Sequence, residues 1–235
     1  MLLLLLACTA PSPLDDTAPT DSAPYVPPAG EVISLTTADG VTLEADWYDN
    51  APGSPAVLLL HMIPPSYDRS SWPNGFIEGL VEDGYAVLAL DRRGAGGSGG
   101  NAEDAYNGDL GVNDAYAAVD HMVAADHDRL VIIGASNGTT TLLDYTKNPD
   151  GRPVPEALVL MSGGTYTETN SLLGAGASDH MQFLYPSSEA DWNEALFGTN
   201  DGWVFIEYEG NAHGTDMFRQ VDTVEADIRG FLAET

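Results

Sequence analysis

Basic residues are almost absent from this chain. Its 235 residues include 36 Asp and Glu but only 8 Lys and Arg, which gives a formal net charge of -28. A surface of this sign repels polyphosphates, which excludes nucleic-acid binding, and it disfavours contact with anionic lipid and with strongly anionic substrates. We interpret the charge as an adaptation that keeps the protein soluble, in surroundings where salt screens the repulsion between its own charges. We favour this interpretation over an acidic recognition face.

Cysteine and long apolar runs are also scarce. Cys8 is the only cysteine, so no intrachain disulfide can form. The apolar run at residues 1–8 is too short to span a bilayer. No cluster of metal ligands is visible in the sequence. Hydrophobic residues nevertheless make up 43% of the chain, and this length and composition predict one globular domain with a substantial core.

The first 30 residues differ from the rest. Residues 1–8 read MLLLLLAC and resemble the end of a bacterial lipoprotein signal, in which the cysteine becomes the lipidated N-terminus. The run is short and lacks a basic segment, so either the true start lies upstream of Met1 or the likeness is fortuitous. Residues 9–30, rich in Pro, Thr, Ser and Asp, predict a mobile tether.

The predicted organisation is therefore a lipoprotein-like signal at 1–8, a disordered tether at 9–30 and a globular domain at 31–235. Such a chain would be exported and anchored through a lipid on Cys8 to the bacterial cell envelope. The alternative is a cytoplasmic protein with a disordered tail.

From residue 31 onward, strand and helix patterns alternate. This alternation predicts an α/β fold with a mostly parallel, roughly eight-stranded sheet and helices on both faces. Ligands bind such sheets at the carboxyl ends of the strands, so functional residues should directly follow strands. The predicted strands are 32–36, 41–47, 56–60, 85–90, 129–133, 156–161, 181–185 and 203–208, and the predicted helices are 71–82, 109–125, 139–145 and 216–232.

The segment at residues 134–138 reads G-A-S-N-G and matches the pattern G-x-S-x-G. It lies between a predicted strand and a predicted helix, which is the context that a nucleophilic serine of this pattern requires. The two glycines permit a sharp turn where strand and helix crowd together. The pattern predicts Ser136 as a nucleophile above a helix N-terminus, whose amides favour negative charge. An ordinary Gly-rich turn is the alternative, since a chain with 25 glycines can contain the pattern by chance.

A serine hydroxyl needs a base, and the chain contains five histidines. His213 directly follows the last predicted strand in a glycine-flanked loop, where such a base should lie. The other four are weaker candidates. His121 and His127 lie on or just beyond a helix and are expected at the surface, His180 precedes a strand, and His61 ends a strand where its backbone matters more than its ring.

The third member of such a set is a carboxylate that orients the imidazole and stabilises its charged form. It should follow a strand between Ser136 and His213. Asp191, at the far end of the loop after the seventh predicted strand, is the preferred candidate. Glu189 in the same loop is its rival, and Asp201 is the third choice.

Acyl transfer also needs two backbone amides aimed at the developing oxyanion. One should belong to Asn137, the residue after the nucleophile. The other should belong to Met62, in the loop after the third predicted strand. The Met62 side chain should also line the acyl pocket.

Taken together, residues 31–235 resemble the α/β-hydrolase family. The chain order of nucleophile, acid and base agrees with that family. The resemblance implies the α/β-hydrolase fold with a minimal cap or none, because little chain separates Met161 from Met181. It rests on L-L-L-H-M at 58–62 (Met in place of the family's Gly), L-D-R-R-G-A-G-G-S at 90–98, the serine turn at 134–138, S-E-A-D at 188–191 (without the family's Gly) and G-N-A-H-G at 210–214.

The resemblance implies a serine hydrolase that cleaves a carboxylic ester or related acyl bond through a Ser136–His213–Asp191 triad, with no metal or organic cofactor. An open site and an acidic surface favour small neutral or cationic esters as substrates. Membrane contact is expected only through the anchor at Cys8. A serine peptidase or thioesterase on the same fold, and a non-catalytic surface lipoprotein that retained the fold, are the alternatives.

Overall fold

The computed structural model describes residues 29–163 and 178–235 of the chain. Its centre is one eight-stranded sheet in the order β1-β2-β4-β3-β5-β6-β7-β8. The pairs β1–β2 and β2–β4 are antiparallel, and all other neighbouring strands run parallel. The strands are β1 Glu31–Thr36, β2 Thr42–Tyr48, β3 Ala56–Leu60, β4 Ala86–Leu90, β5 Leu130–Ala135, β6 Ala157–Met161, β7 Met181–Pro186 and β8 Trp203–Tyr208.

Helices cover both faces of this sheet. On one face α2 and α3 share a core with Leu58 and Leu60, and on the other α1 and α6 share a core with Val57 and Leu59. Alternate residues of β3 thus serve opposite faces, which explains why the strand is apolar throughout. The predicted α/β class and strand number are confirmed. The helices are α1 Asn74–Glu82, α2 Val112–Ala124, α3 Gly138–Lys147, α4 Ala190–Glu194, α5 Met217–Gln220 and α6 Val224–Leu232.

The helix ends differ from the sequence prediction. The helix predicted at 71–82 begins at Asn74, because Pro73 is extended (φ -64°, ψ 135°) and serves as its N-cap. The helix predicted at 216–232 is two helices, α5 and α6. It breaks at Val221, a β-branched residue in extended conformation (φ -132°, ψ 112°) that packs against the core shared with α6.

Some sequence predictions cannot be compared with the fold. The predicted signal with Cys8 and nearly all of the predicted tether lie outside the described residues. So do residues 164–177, which include most of the segment behind the expectation of a minimal cap. Within 29–163 and 178–235, no helix is long and apolar enough to cross a bilayer.

A buried ion pair holds the loop after β4 to helix α2. Arg93 is 1% exposed and Asp114 is fully buried; the Arg93 Nε and backbone N–H each donate to this carboxylate at 2.8 Å. The other two guanidinium nitrogens donate to Asp39 at 2.8 and 3.1 Å. Burial raises the pKa of Asp114, so its charge depends on these donors.

We expect Arg93→Met to lower the free energy of unfolding by about 3–5 kcal/mol, because it leaves the Asp114 carboxylate buried without its cation. Arg129→Met is the matched control, since Arg129 and its partner Glu156 are 49% and 42% exposed. The control should lose less than about 1 kcal/mol. Urea unfolding followed by circular dichroism measures both; equal losses in the two variants would contradict the prediction.

Candidate active site

Ser136 occupies a sharp turn between β5 and α3. Its φ is +49°, in the left-handed region that a residue with a side chain rarely adopts. The flanking glycines make the turn sterically feasible. A Cβ on Gly134 would lie 3.0 Å from the backbone of Gly138, and a Cβ on Gly138 would overlap the carbonyl oxygen of Leu60 at the end of β3. The G-x-S-x-G spacing thus reflects close packing of α3 against two strands.

His213 lies in the loop after β8 and reaches the serine. The Ser136 hydroxyl donates to His213 Nε2 at an Oγ–Nε2 distance of 2.6 Å. The loop is held from below, because the Gly214 N–H donates to Ser162 Oγ at 3.0 Å. Gly214 has φ +56°, and a Cβ there would overlap the Met62 side chain. A side chain after the histidine would therefore be strained by the backbone conformation and would also have to displace Met62.

The second ring nitrogen of His213 contacts a carboxylate. His213 Nδ1 donates to Glu189 Oε1 at 2.5 Å. Glu189 ends a 3-10 turn that follows β7 directly. The loops after β7 and β8 are also tied together, because Gly210 N–H donates to Ser187 Oγ at 3.1 Å and Ser188 N–H donates to the Gly210 carbonyl at 3.2 Å.

The preference for Asp191 as the acid is thus corrected to its rival, Glu189. Asp191 is exposed in the first turn of α4, two residues beyond the carboxylate that meets the ring. The tight 3-10 turn directs Glu189 towards His213, whereas α4 carries Asp191 away. Asp201, the third choice, precedes β8 and so belongs to the opposite edge of the sheet.

The two residues expected to supply the oxyanion amides lie in different segments, one after β5 and one after β3. Asn137 caps α3 directly after Ser136, and Met62 lies two residues beyond β3. Neither backbone N–H donates to an acceptor among the described residues. The Met62 side chain is buried in the core and packs against Gly214, in the loop that carries His213.

A buried polar network supports this edge, and sequence reasoning did not anticipate it. His61 Nδ1 donates to the Met62 carbonyl at 2.7 Å, and His61 Nε2 accepts from the Arg92 backbone N–H at 3.0 Å. Burial and the nearby Arg92 charge lower the pKa of His61 to about 3, so the ring is neutral with its proton on Nδ1. The sequence prediction that the His61 backbone matters more than its ring did not include these two hydrogen bonds of the ring.

His127 also differs from expectation, because it is buried rather than at the surface. Its ring lies between Asp49 Oδ1, 2.8 Å from Nε2, and the Ser54 carbonyl, 3.0 Å from Nδ1. His180 lies before β7, on the edge opposite the serine. Across the described ranges, no three His, Cys, Asp or Glu side chains are grouped so as to hold a metal ion.

Comparison with known proteins connects this geometry to a family. The family model described as serine aminopeptidase, S33, matches residues 56–209, which is more than half of the chain. A 2-hydroxy-6-oxononadienedioate/2-hydroxy-6-oxononatrienedioate hydrolase from Escherichia coli is 33% identical over 128 residues. This alignment covers 54% of the chain and 42% of that relative, so the chain matches less than half the length of the curated relative.

Solved structures share the fold over most of the chain. The esterase Pf2001 of Pyrococcus furiosus has a TM-score of 0.67 at 18% identity and covers 88% of this chain and 92% of its own. Epoxide hydrolase A of Mycobacterium thermoresistibile has a TM-score of 0.65 at 15% identity, covering 87% and 98%. At such identities the likeness concerns the fold alone, and it establishes the α/β-hydrolase fold expected from the sequence motifs.

We expect Gly138→Ala to destabilise the fold by about 1–3 kcal/mol, because the new methyl group must displace the end of β3. Gly75→Ala is the matched control. Gly75 is exposed in α1 with open space around its Cα, so alanine there should leave stability unchanged or raise it by up to about 1 kcal/mol. Thermal and urea unfolding test the pair, and a neutral Gly138→Ala would show that the close packing is not required.

Proposed function

The chain belongs to the serine aminopeptidase S33 family of α/β-hydrolases, and on this ground we propose that it is a serine hydrolase that cleaves a carboxylic ester or related acyl bond. One observation carries the proposal. Ser136 Oγ lies 2.6 Å from His213 Nε2, and the opposite nitrogen of the same ring lies 2.5 Å from Glu189 Oε1. A hydroxyl, a base and an orienting carboxylate in this order form a catalytic triad that activates the serine as a nucleophile.

In the acylation step, Ser136 Oγ attacks the substrate carbonyl carbon while its proton moves to His213 Nε2. Glu189 keeps the proton on Nδ1 of the ring and stabilises the imidazolium that forms. The carbonyl oxygen becomes an oxyanion, which the backbone amides of Met62 and Asn137 would bind. Collapse of this intermediate expels the alcohol, which takes its proton from His213 and leaves an acyl-serine.

The acyl-serine is then hydrolysed by the same groups. His213 removes a proton from water, and the resulting hydroxide attacks the acyl carbon. The second oxyanion collapses, and the proton on His213 returns to Ser136 Oγ as the carboxylic acid departs. Every proton transfer in the cycle uses His213 Nε2. The cycle therefore needs only the three side chains, the two backbone amides and water.

The substrate we propose is a small neutral or cationic ester. The net charge of -28 opposes the approach of anions. The Escherichia coli relative is named for dioate substrates, which are dianions, and we therefore do not extend its substrate to this chain. The family name favours a serine peptidase as the second candidate. Export and anchoring at Cys8, expected from the sequence, belong to the same proposal.

The decisive experiment compares the wild type with Ser136→Ala on p-nitrophenyl acetate and butyrate. We expect kcat to fall about 10,000-fold or more, because the nucleophile is lost. A fluorophosphonate probe should label the wild type at Ser136 and leave the variant unlabelled. Full turnover by Ser136→Ala would overturn the proposal, and no labelling of the wild type would favour a non-catalytic protein. A panel of thioesters and aminoacyl p-nitroanilides separates esterase from thioesterase and peptidase.

The identity of the acid is tested by two conservative substitutions in one loop. Glu189→Gln should lower kcat about 100- to 10,000-fold, because the amide cannot stabilise the imidazolium and favours the wrong tautomer. Asp191→Asn should stay within about twofold of the wild type, since its carboxylate is exposed on α4. Steady-state kinetics on the same ester measures both. The reverse order of the two losses would restore Asp191 as the acid.

A further inference from the structure

The guanidinium of Arg92 lies fully buried beneath the candidate active site. Its acceptors are neutral: two backbone carbonyls of the loop after β3, a side-chain amide, a third carbonyl and a hydroxyl. Burial lowers its pKa to about 10, so it remains protonated at neutral pH. A buried cation is costly in free energy, and an apolar residue of similar size would avoid that cost.

The hydrogen bonds of Arg92 fall into two groups. Nη2 anchors the guanidinium, donating to the Ala105 carbonyl at 2.7 Å and to Thr141 Oγ1 at 2.9 Å. Nη1 faces the active site. It donates to Asn137 Oδ1 at 2.9 Å and lies 3.3 and 3.4 Å from the carbonyl oxygens of His61 and Met62. One nitrogen therefore contacts both segments whose amides would bind the oxyanion.

The backbone of Arg92 strengthens the same connection. Its N–H donates to His61 Nε2, and the His61 ring passes a second hydrogen bond to the Met62 carbonyl. The loop after β3 is thus held at two points by one residue of the loop after β4. Asn137, at the other side of the gap, is held by the side chain of that residue.

We propose that Arg92 is a positioning residue for the oxyanion hole. Its guanidinium fixes the distance between the Met62 and Asn137 segments, so that both amides already converge when negative charge develops on the substrate oxygen. Its charge lies behind both segments and favours the same anion. The inference rests on the proposed serine-hydrolase function and assigns Arg92 a part in it.

The neighbouring arginine provides the contrast. Arg93 is equally buried, but its acceptors are the carboxylates of Asp114 and Asp39, which connect it to α2 and to the β1–β2 turn rather than to the serine. A role in stability alone predicts similar catalytic consequences for the two arginines. The positioning role predicts a catalytic defect for Arg92 only.

The first test removes the contact at its accessible end. Asn137→Ala deletes the Oδ1 acceptor but keeps the backbone amide, at a position that is only partly buried. We expect kcat on p-nitrophenyl acetate to fall about tenfold with KM within about twofold, because the contact matters when the oxyanion forms. Asn50→Ala is the matched control, since the Asn50 amide donates to the Val81 and Tyr85 carbonyls beside the start of β4, at the opposite edge. Its kcat per active site should not change.

The second test changes the arginine itself. Arg92→Met should lower kcat by more than tenfold, Arg92→Lys should recover part of the loss, and Arg93→Met should keep wild-type kcat. All rates are expressed per active site, counted by fluorophosphonate labelling taken to completion, so that loss of folded protein does not enter. A trifluoromethyl ketone reports on the oxyanion directly, because Ser136 adds to its carbonyl and places an oxyanion in the hole. Its affinity should fall in parallel with kcat.

The outcomes separate this inference from the proposed function. Turnover that depends on Ser136 but is unchanged in Asn137→Ala and Arg92→Met, with unchanged ketone affinity, overturns the positioning role and leaves the hydrolase intact. Equal losses in Arg92→Met and Arg93→Met also overturn it. A wild type without Ser136-dependent turnover overturns both proposals.

Discussion

The close approach of α3 to the ends of β3 and β5 is the constraint on which the candidate site depends. Gly138 has no room for a Cβ against the Leu60 carbonyl, and Gly134 has little against Gly138. This contact forces the backbone of Ser136 into the left-handed region, which points its side chain away from the helix and strand that carry it. The same contact brings the loop after β3, with Met62, next to Asn137. The positions of the nucleophile and of the candidate oxyanion amides thus follow from the same close contact.

The parallel arrangement of β7 and β8 brings the candidate base and the candidate acid together. Neighbouring parallel strands end at the same edge of a sheet, so the loops that follow them meet there. Hydrogen bonds between Ser187 and Gly210 tie these loops together, and Ser162 at the end of β6 holds Gly214. His213 is therefore fixed by contacts to three consecutive strand ends. This explains how a partly exposed imidazole can keep contact with both Ser136 and Glu189.

Charge is distributed unevenly in this acidic protein. Three of its eight basic residues contact or belong to the short loop after β4: Arg69 pairs with Asp91, Arg92 lies under the oxyanion segments, and Arg93 pairs with Asp114. Arg92 and Arg93 are buried, whereas 17% of the Arg69 side chain remains exposed. The net charge of -28 therefore does not describe the surroundings of Arg92, a buried cation that donates to neutral acceptors beside the candidate site.

The sequence alone determined the α/β class, the number of strands and the candidates Ser136 and His213. Strand and helix preferences are local, and the loops that follow parallel strands all lie at the same edge of the sheet. Only the tertiary structure decided between Glu189 and Asp191, because two residues in one loop differ in direction and not in sequence context. The 3-10 turn after β7 directs the Glu189 carboxylate to the His213 ring, whereas Asp191 lies in the first turn of α4 and is exposed. The burial of Arg92 was likewise decided by packing, since its contacts come from segments distant in the chain.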